Sequence, residues 1–212
     1  ALAYSSIDSS TRYVMTESGT FFYTLDSGLN WELTEDFNGP SPQYFYGATI
    51  FPSSTDVNKV VIGGSGYSNP AVYVSEDSGE SFIPMDSGLP STLVYKITGN
   101  DEGDLLFAAT EVGPYVFDIL DGEWYEMSGI SAPDQIYWSV EYIPELMTVR
   151  FGTYGRGIWD FTLNQYQDMI LGDVNSDEVI NILDVVLTVA IVLGQHEPLE
   201  YELWAADVNE DG

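Results

Sequence analysis

Cysteine is absent, histidine occurs once, and five Lys+Arg stand against 34 Asp+Glu, for a formal net charge of −29. Each shortage excludes something. Without cysteine there are no disulfides, no thiolate metal sites and no cysteine nucleophile. The one histidine, His196, sits in Gly194-Gln195-His196-Glu197-Pro198 and reads as a solvated turn residue, so zinc or histidine acid–base chemistry has no support. So acidic a chain argues against nucleic acid or an anionic membrane surface as partner. It suits solubility in a saline or calcium-rich exterior, as in an exported bacterial protein. The longest apolar run, Ile180 to Leu193, is interrupted by Asn181, Asp184 and Thr188 and is too short and polar to span a bilayer. No signal peptide opens the chain at Ala1, and no Gly-rich phosphate loop, G-x-S-x-G elbow or H-E-x-x-H is present.

What is there is apolar and patterned. Hydrophobic residues make up 44% and aromatics 14% of 212 residues, enough for one medium domain and a small one. Residues 1 to 163 repeat a hairpin. Arg12 to Glu17 pairs with Gly19 to Thr24, Lys59 to Gly63 with Ala71 to Ser75, Leu105 to Thr110 with Pro114 to Phe117, and Thr148 to Tyr154 with Gly157 to Leu163. Equivalent points fall 51, 43 and 43 residues apart. Units of that size predict four-stranded blades of a β-propeller.

Two turns carry the pattern [ST]-x-D-x-G-x-x-[WF]: Thr24, Asp26, Gly28 and Trp31 in one, Ser75, Asp77, Gly79 and Phe82 in the other. A worn third copy runs from Asp118 to Trp124, one residue short. These boxes resemble the Asp-box (bacterial neuraminidase) repeat of sialidases, other glycoside hydrolases and sortilin-like receptors. The segment Gly152 to Trp159 resembles the last-blade segment of such propellers. The expected role of the boxes is structural. A short carboxylate accepts turn N–H groups, glycine supplies a permissive backbone, and Trp31 and Phe82 fill the wedge between blades. The resulting fold class is mainly β: a partial propeller of about four blades of four-stranded antiparallel sheets over 1–165, followed by a small α-helical module. The last visible blade lacks a fourth strand. Both ends read as cut, with further blades expected outside the fragment.

The second module is read from Asp173 to Asp184. Oxygen side chains stand at loop positions 1, 3, 5, 9 and 12 (Asp173, Asn175, Asp177, Asn181, Asp184), with the Val179 carbonyl at position 7. That order is how a twelve-residue loop wraps Ca²⁺ in oxygen ligands. A helix-like segment, Val185 to Leu193, follows, and the opening recurs as Asp207, Asn209 and Asp211. A duplicated loop of this kind resembles a dockerin module, which implies an EF-hand-like fold over 170–212, calcium as cofactor and a cohesin domain or cell-surface scaffold as partner. Positions 10 and 11, Ile182 and Leu183, are where dockerins present partner-recognition side chains. Two features depart from the pattern. Glu178 holds the position that favours glycine, and the second loop stops after six positions. Residues 166–169 read as a linker.

Catalysis has no clear seat. A sialidase-like site needs three arginines gripping a carboxylate, and the chain holds only Arg12, Arg150 and Arg156. A xyloglucanase-like site needs two facing carboxylates, and none of the 34 acidic residues is singled out by its context. Tyr44, Phe45, Tyr46, Tyr67, Tyr137 and Trp138 lie near blade starts or in loops. Most are expected to fill inter-blade space, with Tyr67, between glycines, the best candidate for stacking on a sugar. Three functions remain open. The first is a secreted calcium-binding protein whose dockerin-like tail tethers the propeller in a polysaccharide-related setting. The second is the C-terminal part of a glycoside hydrolase whose catalytic residues lie mostly outside this fragment. The third is a structural or adhesive surface protein.

Overall fold

Short β-rich runs punctuated by glycine and acidic turns form fifteen strands among the described residues, in four antiparallel sheets. The structure, a computed structural model, describes residues 1–34, 46–67, 69–127, 132–133, 135–163, 170–177 and 179–208. The first sheet runs β1 (Leu2–Tyr4), β2 (Arg12–Met15), β3 (Phe21–Thr24), β4 (Glu32–Leu33). The second runs β5 (Gly47–Pro52), β6 (Val60–Gly64), β7 (Val72–Ser75), β8 (Ile83–Pro84). The third runs β9 (Val94–Gly99), β10 (Leu105–Thr110), β11 (Pro114–Asp118), β12 (Glu123–Glu126), and the fourth β13 (Tyr137–Ile143), β14 (Thr148–Thr153), β15 (Ile158–Thr162). Every sheet is a meander in chain order, and the fourth has three strands. The four hairpins expected from the sequence are the β2–β3, β6–β7, β10–β11 and β14–β15 pairs.

The first strands of successive sheets pack on one another, β1 on β5, β5 on β9 and β9 on β13, so the sheets fan out around that edge. This is a propeller-like arrangement. The middle strands are covered on both faces, which is why they read as near-continuous apolar runs. In β6, Val60 and Ile62 join Tyr13, Met15, Phe21 and Tyr23 of the first sheet, whereas Val61 turns to Val94, Ile97, Leu106 and Phe117 of the third. In β10 the same alternation sends Leu106 and Ala108 to the second sheet, while Phe107 stacks on Tyr142 of the fourth at 6.3 Å. The outer strands β4 and β8 are two residues long and exposed, which limits edge-to-edge pairing.

The chain divides into two compact units, Ala1–Thr162 and Leu163–Gly212. The proposed linker 166–169 lies outside the described residues. In the second unit, α1 (Ile182–Val192) starts three residues before the expected helix, because Asn181 and Asp184 form a capping box. A shorter helix, α2 (Glu200–Ala206), follows. Among the described residues no helix is long and apolar enough to cross a membrane.

Candidate calcium loop and docking surface

The repeat turns share one hydrogen-bond network. In the first, the Thr24 hydroxyl donates to Asp26 Oδ1 at 2.7 Å and accepts the Gly28 N–H at 3.0 Å, while the Asn30 N–H donates to Asp26 Oδ1 at 2.9 Å. In the second, Ser75, Asp77, Gly79 and Ser81 repeat those bonds at 2.7, 2.8 and 2.9 Å. Gly79 adopts φ +97°, and a Cβ there would meet Phe21 Cε1 at 2.9 Å, so glycine is needed both for the turn and for the preceding sheet. The Gly79 carbonyl accepts the Thr34 hydroxyl at 2.5 Å, tying the turn to the first sheet.

The aromatic position of the motif behaves differently in each copy. Phe82 packs edge-on against Phe21 at 4.8 Å, as a wedge between sheets should. Trp124 of the worn copy is buried, with its indole N–H donating to Met85 O of the second sheet at 2.8 Å. Trp31 departs from expectation: it is 43% exposed and lies against Gly28 of its own turn. It belongs to the first sheet, which has no earlier sheet in this chain to wedge against.

The turn carboxylates are acidified by their donors. The Asn30 backbone N–H, then the Thr24 hydroxyl and the Asn30 amide, hold the Asp26 carboxyl at about 2. For Asp77, burial pushes the other way, and the bonds from Ser81 and Ser75 outweigh it and keep the group below its usual value. A carboxyl whose folded value is depressed contributes stability that is complete above its unfolded value of 3.8 and is lost as pH falls through the folded value. Thermal unfolding midpoints are therefore expected to fall between about pH 4 and pH 2. The double variant Asp26→Asn, Asp77→Asn should flatten that slope.

The acidic loop of the second unit folds back on itself. The Asp177 N–H donates to Asp173 Oδ1 at 3.1 Å and to Asn175 Oδ1 at 3.0 Å, and the Asn175 N–H donates to Asp184 Oδ1 at 3.2 Å. The Val179 N–H donates to Asp177 Oδ1 at 3.0 Å, and the Asn181 amide donates to the Val179 carbonyl at 2.9 Å. Loop positions 1, 3, 5, 7, 9 and 12 are thus linked through direct hydrogen bonds. Asp173 and Asp184 are buried, at 4% and 2% exposure, unusual for carboxylates. The Asn181 backbone N–H at 2.7 Å is the main reason Asp184 stays below the usual carboxylate range.

In kind and in order these donors fit a hard, oxygen-preferring cation. The fit stops there. Among the described residues no three carboxylate or histidine groups gather closely enough to hold a metal by themselves, so the amide and carbonyl oxygens would have to share the work. Position 6, Glu178, lies outside the described residues. The left-handed residue of the loop that is described is Ser176, φ 56°. In the second loop, Asp207 caps α2, and Asn209 and Asp211 lie outside the described residues.

Ile182 and Leu183 occupy the first turn of α1 and are 70% and 57% exposed. Val186 and Val189 on the same helix are also at least half exposed. A groove of about 270 Å³, lined by Ile180, Val185, Val189 and Ala205 among others, runs between α1 and the end of α2. His196 lies in the bend between α1 and α2, its side chain 38% exposed, and it has a partner that the turn reading did not foresee. Its Nε2 lies 2.8 Å from the buried Glu202, which also accepts the Leu199 N–H at 2.7 Å at the start of α2.

The arginines do not form a carboxylate clamp. Arg12 donates to the Ser9 carbonyl at 3.4 Å, and Arg150 grips Asp160 through two bonds of 2.7 Å. Of the loop aromatics, Tyr137 is fully buried, Tyr46, Tyr67 and Trp138 are exposed, and Tyr44 and Phe45 lie outside the described residues. Tyr95 and Tyr154, which sequence reasoning passed over, stand beside Trp138.

The Dockerin type I domain family matches residues 171–212. No curated protein matches the chain. Among solved structures, a GH74 enzyme of Niastella koreensis is 19% identical with a TM-score of 0.59, over 76% of this chain and 27% of that one. The GH74 xyloglucanase of Xanthomonas campestris is 16% identical with a TM-score of 0.61, over 76% and 28%. An ancestral GH74 enzyme is 14% identical with a TM-score of 0.63, over 77% and 25%. The chain therefore spans about a quarter of the length of these proteins, and at such identities the likeness shows the fold alone. A propeller-like unit of that fold, carrying a segment similar to the Dockerin type I domain, is what the chain contains.

Proposed function

We propose that the chain is a calcium-dependent tethering module of a secreted protein, in which residues 170–212 dock a propeller unit onto a cohesin-like domain or cell-surface scaffold. The observation that carries this reading is the ordered set of oxygen donors from Asp173 to Asp184, ending in the capping box of α1. Asp173, Asn175, Asp177, Asn181 and Asp184 would hold Ca²⁺ with the Val179 carbonyl. The ion would supply charge neutralisation to an acidic loop whose first and last carboxylates, Asp173 and Asp184, are buried. Ile182 and Leu183, exposed on the first turn of the helix that this loop caps, are the proposed contact to the partner. The repeat turns are read as structural Asp-boxes, and the setting as polysaccharide-related.

The test is a calorimetric Ca²⁺ titration of the chain with far-UV circular dichroism in parallel. Saturation near one equivalent with gained helicity, both lost in Asp173→Ala, supports the reading. Cohesin capture should require Ca²⁺ and should fall at least about tenfold in the charge-neutral variant Ile182→Ala, Leu183→Ala, with saturation by Ca²⁺ still near one equivalent. Weak, non-saturating binding indifferent to Asp173→Ala would overturn it.

A second reading is favoured by the fold likeness to GH74 enzymes, one of them a xyloglucanase: the unit is part of a glycoside hydrolase. Hydrolysis of a β-glucan by the longer protein, with product sugars measured, tests it.

A further inference from the structure

The first strands of three successive sheets share an irregularity. In β5, Ala48 is inserted between the pairs Gly47–Gly64 and Thr49–Gly63. In β9, Tyr95 is inserted between Val94–Thr110 and Lys96–Ala109, and in β13, Trp138 between Tyr137–Thr153 and Ser139–Gly152. One extra residue at the same place in each sheet is a β-bulge, which bends the strand and re-aims a side chain. In the third and fourth sheets the re-aimed side chain is aromatic. The Tyr95 and Trp138 rings lie 4.3 Å apart, and Tyr154, from the β14–β15 hairpin, extends the row at 6.0 Å from Trp138.

This row is not core. Trp138 is 47% and Tyr154 72% exposed, and neither the Trp138 indole N–H nor the Tyr154 hydroxyl bonds a described residue. Lys96 and Ser139, next in the chain to Tyr95 and Trp138, line a cleft of about 520 Å³ with residues of the third and fourth sheets, Thr98, Glu141 and Arg150 among them, and the rings themselves stand outside it. The charges in that cleft nearly cancel. Arg150 is already paired with Asp160, leaving Lys96 against Glu141. A net charge of −29 also repels anions from the whole molecule.

A ligand for such a surface is uncharged, has flat apolar faces for the rings, and carries many hydroxyls for the mixed donors and acceptors beyond them. Saccharides have that combination. We propose that the bulged rim of the third and fourth sheets binds a neutral oligosaccharide, stacked on Trp138 and Tyr154 and hydrogen-bonded by Lys96, Ser139 and Glu141. The inference rests on the polysaccharide setting proposed above and is independent of calcium docking, since it uses no residue beyond Thr162.

The test is titration of the full chain with cellohexaose, mannohexaose, hexagalacturonate and a proline-rich decapeptide, followed by tryptophan fluorescence and calorimetry. Expected is saturable binding of a neutral hexasaccharide, weakened at least tenfold by Trp138→Ala and by Tyr154→Ala. Trp31→Ala, an exposed tryptophan of the first sheet, should leave it unchanged. Unaltered thermal midpoints of the variants separate lost contact from lost folding. Neutral-sugar binding indifferent to Trp138→Ala overturns the site while leaving the polysaccharide setting intact. Preference for hexagalacturonate or the peptide, or no saturable binding of either neutral sugar, overturns both.

Discussion

Asp184→Ala is expected to abolish calcium-coupled ordering of the C-terminal unit. Three functions meet on that carboxylate. It closes the oxygen series as its twelfth member, it ties the loop by accepting the Asn175 N–H, and it caps α1 by accepting the Asn181 N–H at 2.7 Å. Loss of its half of the capping box leaves the Asn181 N–H without that acceptor and weakens the start of the helix. Loss of a ligand should cost more than the 10–100-fold typical of outer-shell partners. Calcium affinity is therefore expected to drop at least about 100-fold, or about 2.8 kcal/mol. Asp184→Asn separates the roles. The amide keeps one acceptor oxygen, so helicity without calcium should stay near that of the parent, while calcium affinity falls almost as far as in alanine. Circular dichroism at 222 nm with and without a chelator, beside calorimetry, reads both. Equal calcium affinity in Asp184→Ala and the parent would remove position 12 from the site.

Asp184 also shows how far the sequence could be read. As a candidate ligand it stood out, because spacing along a loop is written in the chain. As a helix cap it was missed, and α1 was expected at Val185 rather than Ile182. The signal was available: Asn181 followed by Asp184 is the asparagine and acidic residue of a capping box. The hairpins were legible for a similar reason. Strand alternation and glycine turns are local, and β6 and β10 read as apolar runs because sheets cover both faces. The inner strands β5, β9 and β13 were not legible. A bulge breaks the period of two, so Val94-Tyr95-Lys96-Ile97 looks patternless although Val94 and Ile97 share one interface. The same break hid Tyr95 and exposed Trp138, which the alternation alone could not assign to rim or core. The pairing of His196 with Glu202 was equally hidden, since burial of Glu202 depends on how α2 seats.

Trp124→Ala is expected to be among the most damaging single changes in the propeller unit, and Trp31→Ala nearly silent, although both occupy the aromatic position of a repeat turn. Trp124 is 2% exposed, packs on Phe117 at 5.2 Å, and donates its indole N–H to the Met85 carbonyl at 2.8 Å. Its backbone N–H donates to Ser87 O at 2.8 Å, and a Cβ on Gly88 would strike the Trp124 carbonyl at 2.3 Å. Trp124 thus adds two hydrogen bonds and a close backbone contact to the apolar cluster that the second and third sheets already share. Removing the indole leaves a cavity and an unsatisfied carbonyl, together costing about 3–5 kcal/mol. A domain holds only about 5–15 kcal/mol in total, so much of the unit's stability would go. Trp31, 43% exposed and packed only on Gly28 of its own turn among the described contacts, should change stability by no more than about 0.5 kcal/mol. Urea unfolding followed by circular dichroism measures both as shifts in midpoint at constant slope. A small loss for Trp124→Ala would mean that the strand edges, not the turn aromatics, hold neighbouring sheets together. A large one assigns the third turn, worn as its sequence is, the role its better-preserved relative at Trp31 does not fill in this chain.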